Sequence, residues 1–191
     1  MDETGSRRTV LLSGAGTPAG RRMVERLLAF DVRLVLLSRY ADLSRFFEKK
    51  ILIDSQRVMT FRMDPSRAKW LKLIARSVAA RWGKVDAIIS LADFEGGTSI
   101  QKLSHHQLMM QLRRNLFSPA ALVHAMLPVL SAEPVIVLVS PCENSSPGSA
   151  ISVEGLRGLA RSLAAEMPQA QVSFLESCSA EEMAEKILHL L

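Results

Sequence analysis

The residue types most useful for proton transfer and metal binding are scarce. The chain holds one tyrosine, Tyr40, and no lysine between Lys102 and Lys186. Its two cysteines, Cys142 and Cys178, fall in neither a CxxC nor a His/Cys ligand spacing. That argues against a disulfide framework and a thiolate metal site, and a reducing cytoplasm is the expected compartment. No apolar run approaches the roughly 20 residues needed to cross a bilayer, so no membrane partner is expected. The opening Met1–Arg8 contains two acids and no apolar stretch, unlike a secretion signal. Aromatic residues make up 5%, too few to interleave with the basic ones. The net charge of +5 is spread over pairs such as Arg7-Arg8, Arg21-Arg22, Lys49-Lys50 and Arg113-Arg114. The expectation is a solvated basic surface and no nucleic-acid groove.

What is present is an alternation. Short apolar runs at Thr9–Ser13, Val32–Ser38, Arg57–Met63, Val85–Leu91, Pro134–Ser140 and Gln171–Leu175 read as strands. Between and after them, helices are expected up to about Ala29, over Ala41–Lys50, Ser66–Trp82, Ser104–Leu130 with a kink at Pro119, Ile151–Met167 and Ala180–Leu191. Near-continuous apolar strands alternating with helices imply a parallel sheet covered on both faces. The expected fold is a single α/β domain over residues 1–191: a three-layer, doubly wound Rossmann fold of about six strands in the order 3-2-1-4-5-6.

The turn after the first strand, Ser13-Gly14-Ala15-Gly16-Thr17-Pro18-Ala19-Gly20, can present backbone N–H groups and a helix N-terminus to a pyrophosphate. The second strand ends on Ser38-Arg39 rather than on an acid. An acid there would bind ribose hydroxyls, whereas a cation suits a 2′-phosphate, so a bound dinucleotide would be NADP. A glycine turn shaped only for packing, and a surface arginine, are the plain alternatives.

Taken together these segments resemble the short-chain dehydrogenase/reductase family over nearly the whole chain. Ser13–Gly20 resembles its glycine turn, Met63-Asp64-Pro65 the aspartate step near the adenine, and Gly83–Ile89 the fourth strand. Asn115-Leu116 matches the asparagine of the fourth helix, and Gly158–Glu166 the helix after the catalytic pair. The resemblance implies cofactor contacts at Ser13, Gly14, Gly16, Thr17, Gly20, Ser38, Arg39, Asp64 and Ala92.

The departures concern the chemistry. Pro18 replaces a turn glycine, and Ser90-Leu91-Ala92-Asp93 stands where the family has Asn-Asn-Ala-Gly. By the pattern, the catalytic serine, tyrosine and lysine positions fall on Pro141, Ala150 and Val153, while Asn115 is retained. A Tyr-x-x-x-Lys pair on that helix is absent in any register, since the chain has neither residue there. The resemblance also leads one to expect the substrate-covering segment and seventh strand to be missing after the sixth.

Cys142, Glu143, Ser145, Ser146 and Ser149 are the candidate substitutes, expected in a loop above the fifth strand, where turn chemistry alone accounts for them. His105, His106 and His124 have no partner at metal-ligand spacing, and no metal is expected. Met109, Met110 and Met126 suit a core or a subunit contact. Family members pair through their fourth and fifth helices. Leu108, Leu112, Leu116, Leu122, Val123 and Met126, with Leu156, Leu159 and Leu163, are the expected core and interface stripes. The expectation is a catalytically degenerate relative acting by association, as a homodimer or a heterodimer partner of an active reductase. The alternatives are an NADP-dependent oxidoreductase with a non-standard site and an NADP-binding regulator.

Overall fold

Burial on both faces explains why the strands are so apolar. The structure, a computed structural model, describes residues 7–39, 43, 56–92, 99–141, 147–177 and 179–191. In chain order it contains β1 (Thr9–Ser13), α1 (Pro18–Leu27), β2 (Arg33–Ser38) and β3 (Val58–Arg62). Next come α2 (Ala68–Trp82), β4 (Val85–Leu91) and α3 (His105–Leu112). A π-helical turn (Arg113–Phe117), α4 (Ser118–Met126) and a 3-10 turn (Leu127–Val129) follow. β5 (Leu130–Pro141), α5 (Pro147–Glu166), β6 (Gln171–Ser177) and α6 (Ala180–Leu190) complete the series.

The six strands form one parallel sheet in the order β3-β2-β1-β4-β5-β6, as expected for a Rossmann fold. Alternate side chains feed two cores. Val10, Leu12, Leu34, Leu36, Ile89 and Val137 meet Met23 and Leu27 of α1 and Met183 and Ile187 of α6. Leu11, Val35, Ile88, Ile136 and Leu138 meet Leu71 and Val78 of α2, Leu122 and Met126 of α4 and Leu156 of α5. Each such buried side chain contributes about 1.5–3 kcal/mol of transfer free energy. At the lower edge of the sheet, Asp86 Oδ2 accepts from Thr9 N at 2.7 Å, which fixes the start of β1 against β4. No helix among the described residues is long and apolar enough to cross a membrane.

Several boundaries differ from expectation. The segment read as one helix over Ser104–Leu130, kinked at Pro119, is broken earlier, by the π-turn at Arg113–Phe117. Pro119 lies just past that turn and has no N–H to give back to the preceding carbonyls, so the ladder widens upstream of it. The expected fifth strand, Pro134–Ser140, begins at Leu130, which pairs with Val85 before a register shift. The helix expected from Ile151 starts at Pro147. Proline suits a first helical position because no N–H is needed there. The sixth strand runs to Ser177 rather than Leu175, and α1 stops at Leu27 rather than near Ala29. The helix expected over Ala41–Lys50 lies outside the described residues except for Leu43, which is helical and buried.

Helix α1 approaches β1 very closely. A Cβ built on Gly20 would lie 2.1 Å from the Gly14 carbonyl oxygen and 2.8 Å from Ala15 Cα, both backbone atoms that cannot step aside. Gly20→Ala is therefore expected to destabilise the fold by about 1–3 kcal/mol or more. The check is a fall in the urea midpoint at unchanged slope.

Candidate functional site

The upper, C-terminal edge of the sheet gathers the expected cofactor residues. β1, β2 and β5 carry buried serines at or next to their upper ends (Ser13, Ser38 and Ser140), and β4 carries Ser90 one residue before its end. Only Ser13 and Ser38 stood out in the sequence. The four line the upper edge of the sheet across β2, β1, β4 and β5.

The turn above β1 is held by its own hydrogen bonds. Gly14, at φ 89°, has a backbone conformation that L side chains rarely adopt. The N–H groups of Gly14 and Ala15 both donate to Leu37 O at 3.1 Å. Thr17 caps α1: its hydroxyl donates to Gly14 O at 2.9 Å and accepts from Gly20 N at 3.0 Å. Arg21 Nε donates to Gly16 O at 3.2 Å. Pro18 occupies the first helical position without an N–H. The N–H groups of Gly16 and Ala19 have no acceptor among the described residues. Ala92, at the upper end of β4, donates its N–H to Val139 O at 2.9 Å.

Arg39 and Asp64, expected separately as 2′-phosphate and adenine contacts, meet each other. Arg39 Nη2 lies 3.2 Å from Asp64 Oδ1. Asp64 Oδ1 also accepts from Ser66 N at 3.0 Å, and Ser66 Oγ accepts from Arg113 Nε at 2.8 Å. Burial pushes the Asp64 carboxyl up. The Ser66 hydrogen bonds, with Arg39 and Arg113 nearby, outweigh that effect and hold it below the usual carboxylate value. Ser66 and Arg113 had no sequence signal as site residues, because 47 positions separate them.

On the catalytic side, Asn115 is buried within the π-turn, and Pro141 ends β5. The resemblance set the tyrosine and lysine positions at Ala150 and Val153. These are three residues apart, whereas Tyr-x-x-x-Lys spans four. One helical turn before Val153, on the same buried face of α5, stands Ser149. With the lysine position kept at Val153, a four-residue step puts the tyrosine position on Ser149 rather than on the half-buried Ala150. Ser149, expected in a loop, is inside the helix because α5 starts early. Its side chain is 3% exposed. Ser152, next to Val153, donates from its hydroxyl to Gly148 O at 2.8 Å. Asp93, Cys142, Glu143, Ser145 and Ser146 lie outside the described residues.

The structure also sorts the expected interface residues. Leu122, Val123, Met126 and Leu156 face the sheet and belong to the core. Leu108, Leu112, Leu116, Leu159 and Leu163 are half-buried, while Met109, Phe117 and Ile151 are exposed. Met110 is half-buried, and His105, His106 and His124 are exposed. No group of three or more His, Cys, Asp or Glu side chains suited to a metal ion occurs among the described residues. A hollow of about 520 Å³ lies at the opposite, lower edge of the sheet, lined in part by Arg8, Asp86, Glu133 and Gln171. None of the expected cofactor residues lines it.

The model of the short chain dehydrogenase family matches residues 8–180. Solved structures of similar fold include a short-chain dehydrogenase/reductase from Brucella melitensis. That protein is 21% identical at a TM-score of 0.81, covering 88% of this chain and 74% of the other. A metagenomic short-chain oxidoreductase in complex with NADP is 21% identical at a TM-score of 0.81, covering 96% and 89%. A short-chain dehydrogenase/reductase from Serratia marcescens is 16% identical at 0.79, covering 88% and 73%. None of the curated proteins matches the chain.

The lowered pKa of Asp64 fixes a sign. A carboxyl depressed in the folded state adds stability above its unfolded pKa, about 3.9, and loses it as the pH falls through the folded value. Asp64→Asn is expected to lower the melting temperature at neutral pH, with the gap to the parent chain closing in acid. Thermal melts of both proteins across a pH series check this.

Proposed function

The chain belongs to the short chain dehydrogenase family, and from that premise we propose that it retains a crevice for NADP but acts by association rather than by hydride transfer. It would work as a homodimer or as the non-catalytic partner of an active short-chain reductase. One observation carries this reading. Helix α5 contains no tyrosine and no lysine, and the family pattern sets Ser149 and Val153, one turn apart on its buried face, where a proton donor and the cation assisting it would stand. General acid catalysis contributes about 10²–10⁴ in rate. A serine hydroxyl is shorter than a phenol and gives up its proton far less readily. Val153 has no charge with which to improve it.

The residues of the upper edge fit a dinucleotide. Gly16 and Ala19 would offer N–H groups to the pyrophosphate, with the N-terminus of α1 behind them. Arg39 would meet a 2′-phosphate once that group displaces Asp64, and Ser38 lies beside it. A solved structure of similar fold was determined with NADP, which supports the choice. When bound, the group would supply hydride chemistry. This chain's own residues bind and orient. Ile151 of α5, with Met109 on α3 and Phe117 in the π-turn, would offer exposed apolar side chains to a subunit contact.

A second reading is favoured by the buried hydroxyl of Ser149, close in sequence to Ser152 on α5. It makes the chain an NADP-dependent oxidoreductase with a non-standard acid. Titrating NADPH fluorescence separates the two. Association predicts saturable binding, weakened about tenfold or more by Arg39→Ala through loss of a charge-assisted contact, with no NADPH consumed by ketones. Ketone reduction abolished by Ser149→Ala would replace this reading with the second. Light scattering is expected to show an assembly larger than one chain, disrupted by Ile151→Glu.

A further inference from the structure

The cations that look scattered in sequence are not evenly distributed over the fold. On the α1/α6 face, two are matched by acids: Arg22 pairs with Glu181 at 2.6 Å and Lys186 with Glu182 at 2.5 Å. On α5, Arg157 pairs with Glu154 and Glu176. Helices α2, α3 and α4 contain no acid at all. Helix α2 carries Lys69, Lys72, Arg76 and Arg81, and Arg67 and Lys84 flank it. Lys69, Lys72 and Arg76 have no ion-pair partner among the described residues.

These three cations fall at i, i+3 and i+7, so they line one stripe of the outer face of α2. Beside them runs a second stripe, Trp70, Leu73, Ser77 and Ala80, all exposed. Trp70 is 52% and Leu73 43% exposed, unusual for large apolar side chains. The opposite face of α2 is fixed in the core by Leu71, Ile74, Ala75 and Val78. The helix is therefore a rigid, convex ridge. Helix α4 and the turn after it pack against it, and that turn exposes Leu127.

From this pairing of unmatched cations with exposed apolar side chains, we propose that the outer face of α2 docks on an anionic lipid surface. Flexible lysine and arginine heads reach phosphate groups while their stems lie along the interface. Trp70 sits at headgroup depth, where indole is favoured, and Leu73 enters the acyl boundary. Each basic residue near such a surface adds attraction that salt screens. A nucleic acid fits the face less well. A convex ridge gives no groove for a backbone to follow, and apolar side chains standing beside the cations gain nothing from phosphates.

Co-sedimentation of the full chain with vesicles of phosphatidylcholine, with and without phosphatidylserine, tests the assignment. Binding is expected only with phosphatidylserine and is expected to fall with salt. Both Lys72→Glu/Arg76→Glu and the milder Lys72→Gln/Arg76→Gln should weaken it, by about tenfold or more for the reversal. Unchanged melting temperatures would show that either variant is folded. In a Trp82→Phe background, where Trp70 is the remaining indole, vesicles should shift its emission to the blue. No sedimentation at low salt, binding insensitive to both double variants, or no shift of Trp70 emission overturns the proposal. So does tighter binding to a duplex oligonucleotide than to the vesicles.

Discussion

The near-contact of α1 with the backbone of the first turn governs the upper edge of the molecule. With no side chain at Gly20, the helix comes within van der Waals range of the Gly14 carbonyl. That approach lets Thr17 bridge Gly14 and Gly20 with one hydroxyl. It also brings Met23, Val24 and Leu27 onto β1 and β2. The turn is thus closed by the chain's own bonds before any anion arrives. The N–H groups of Gly14 and Ala15 go to Leu37 O, that of Thr17 to Gly14 O and that of Gly20 to Thr17 Oγ1, which leaves those of Gly16 and Ala19.

A second constraint is electrostatic. Arg39, Asp64, Ser66 and Arg113 bind together the ends of β2 and β3 and the π-turn of a distant helix. The same arginine that would recognise a phosphate is neutralised in this arrangement by a carboxylate. Ligand recognition and local stability thus draw on one ion pair. A phosphate has to offer Arg39 more than Asp64 already does, since a partly buried pair is costly to break on one side only.

Much of the fold was legible because its signal is collective. Six apolar runs with helices between them admit few topologies, and the handedness of crossovers selects among those. The strand order followed from that rule. Helix ends were less legible where proline acts at a distance. Pro119 marks a break whose widened turn lies upstream at Arg113–Phe117, and Pro147 starts a helix that turn-forming residues appeared to delay. That early start moved Ser149 from an expected loop into a buried helical face. The Arg39–Asp64 and Ser66–Arg113 contacts were beyond reach of spacing arguments, because they join segments that meet only after the sheet is assembled. What the sequence did carry without structure is the absence of any tyrosine or lysine from the α5 segment, which holds in every register.

The position of β1 has a consequence for how the chain comes together. It lies between β2 and β4, and its lower end is tied to Asp86, 77 residues away. During synthesis the first three strands emerge with one side of β1 unpaired, and that side is completed only when β4 arrives. Until then a strand with Val10, Leu11 and Leu12 at its centre is open to wrong partners, the circumstance in which non-local parallel sheets assemble slowly and are exposed to aggregation. The most central element of the finished protein is therefore the one longest at risk while it is being made.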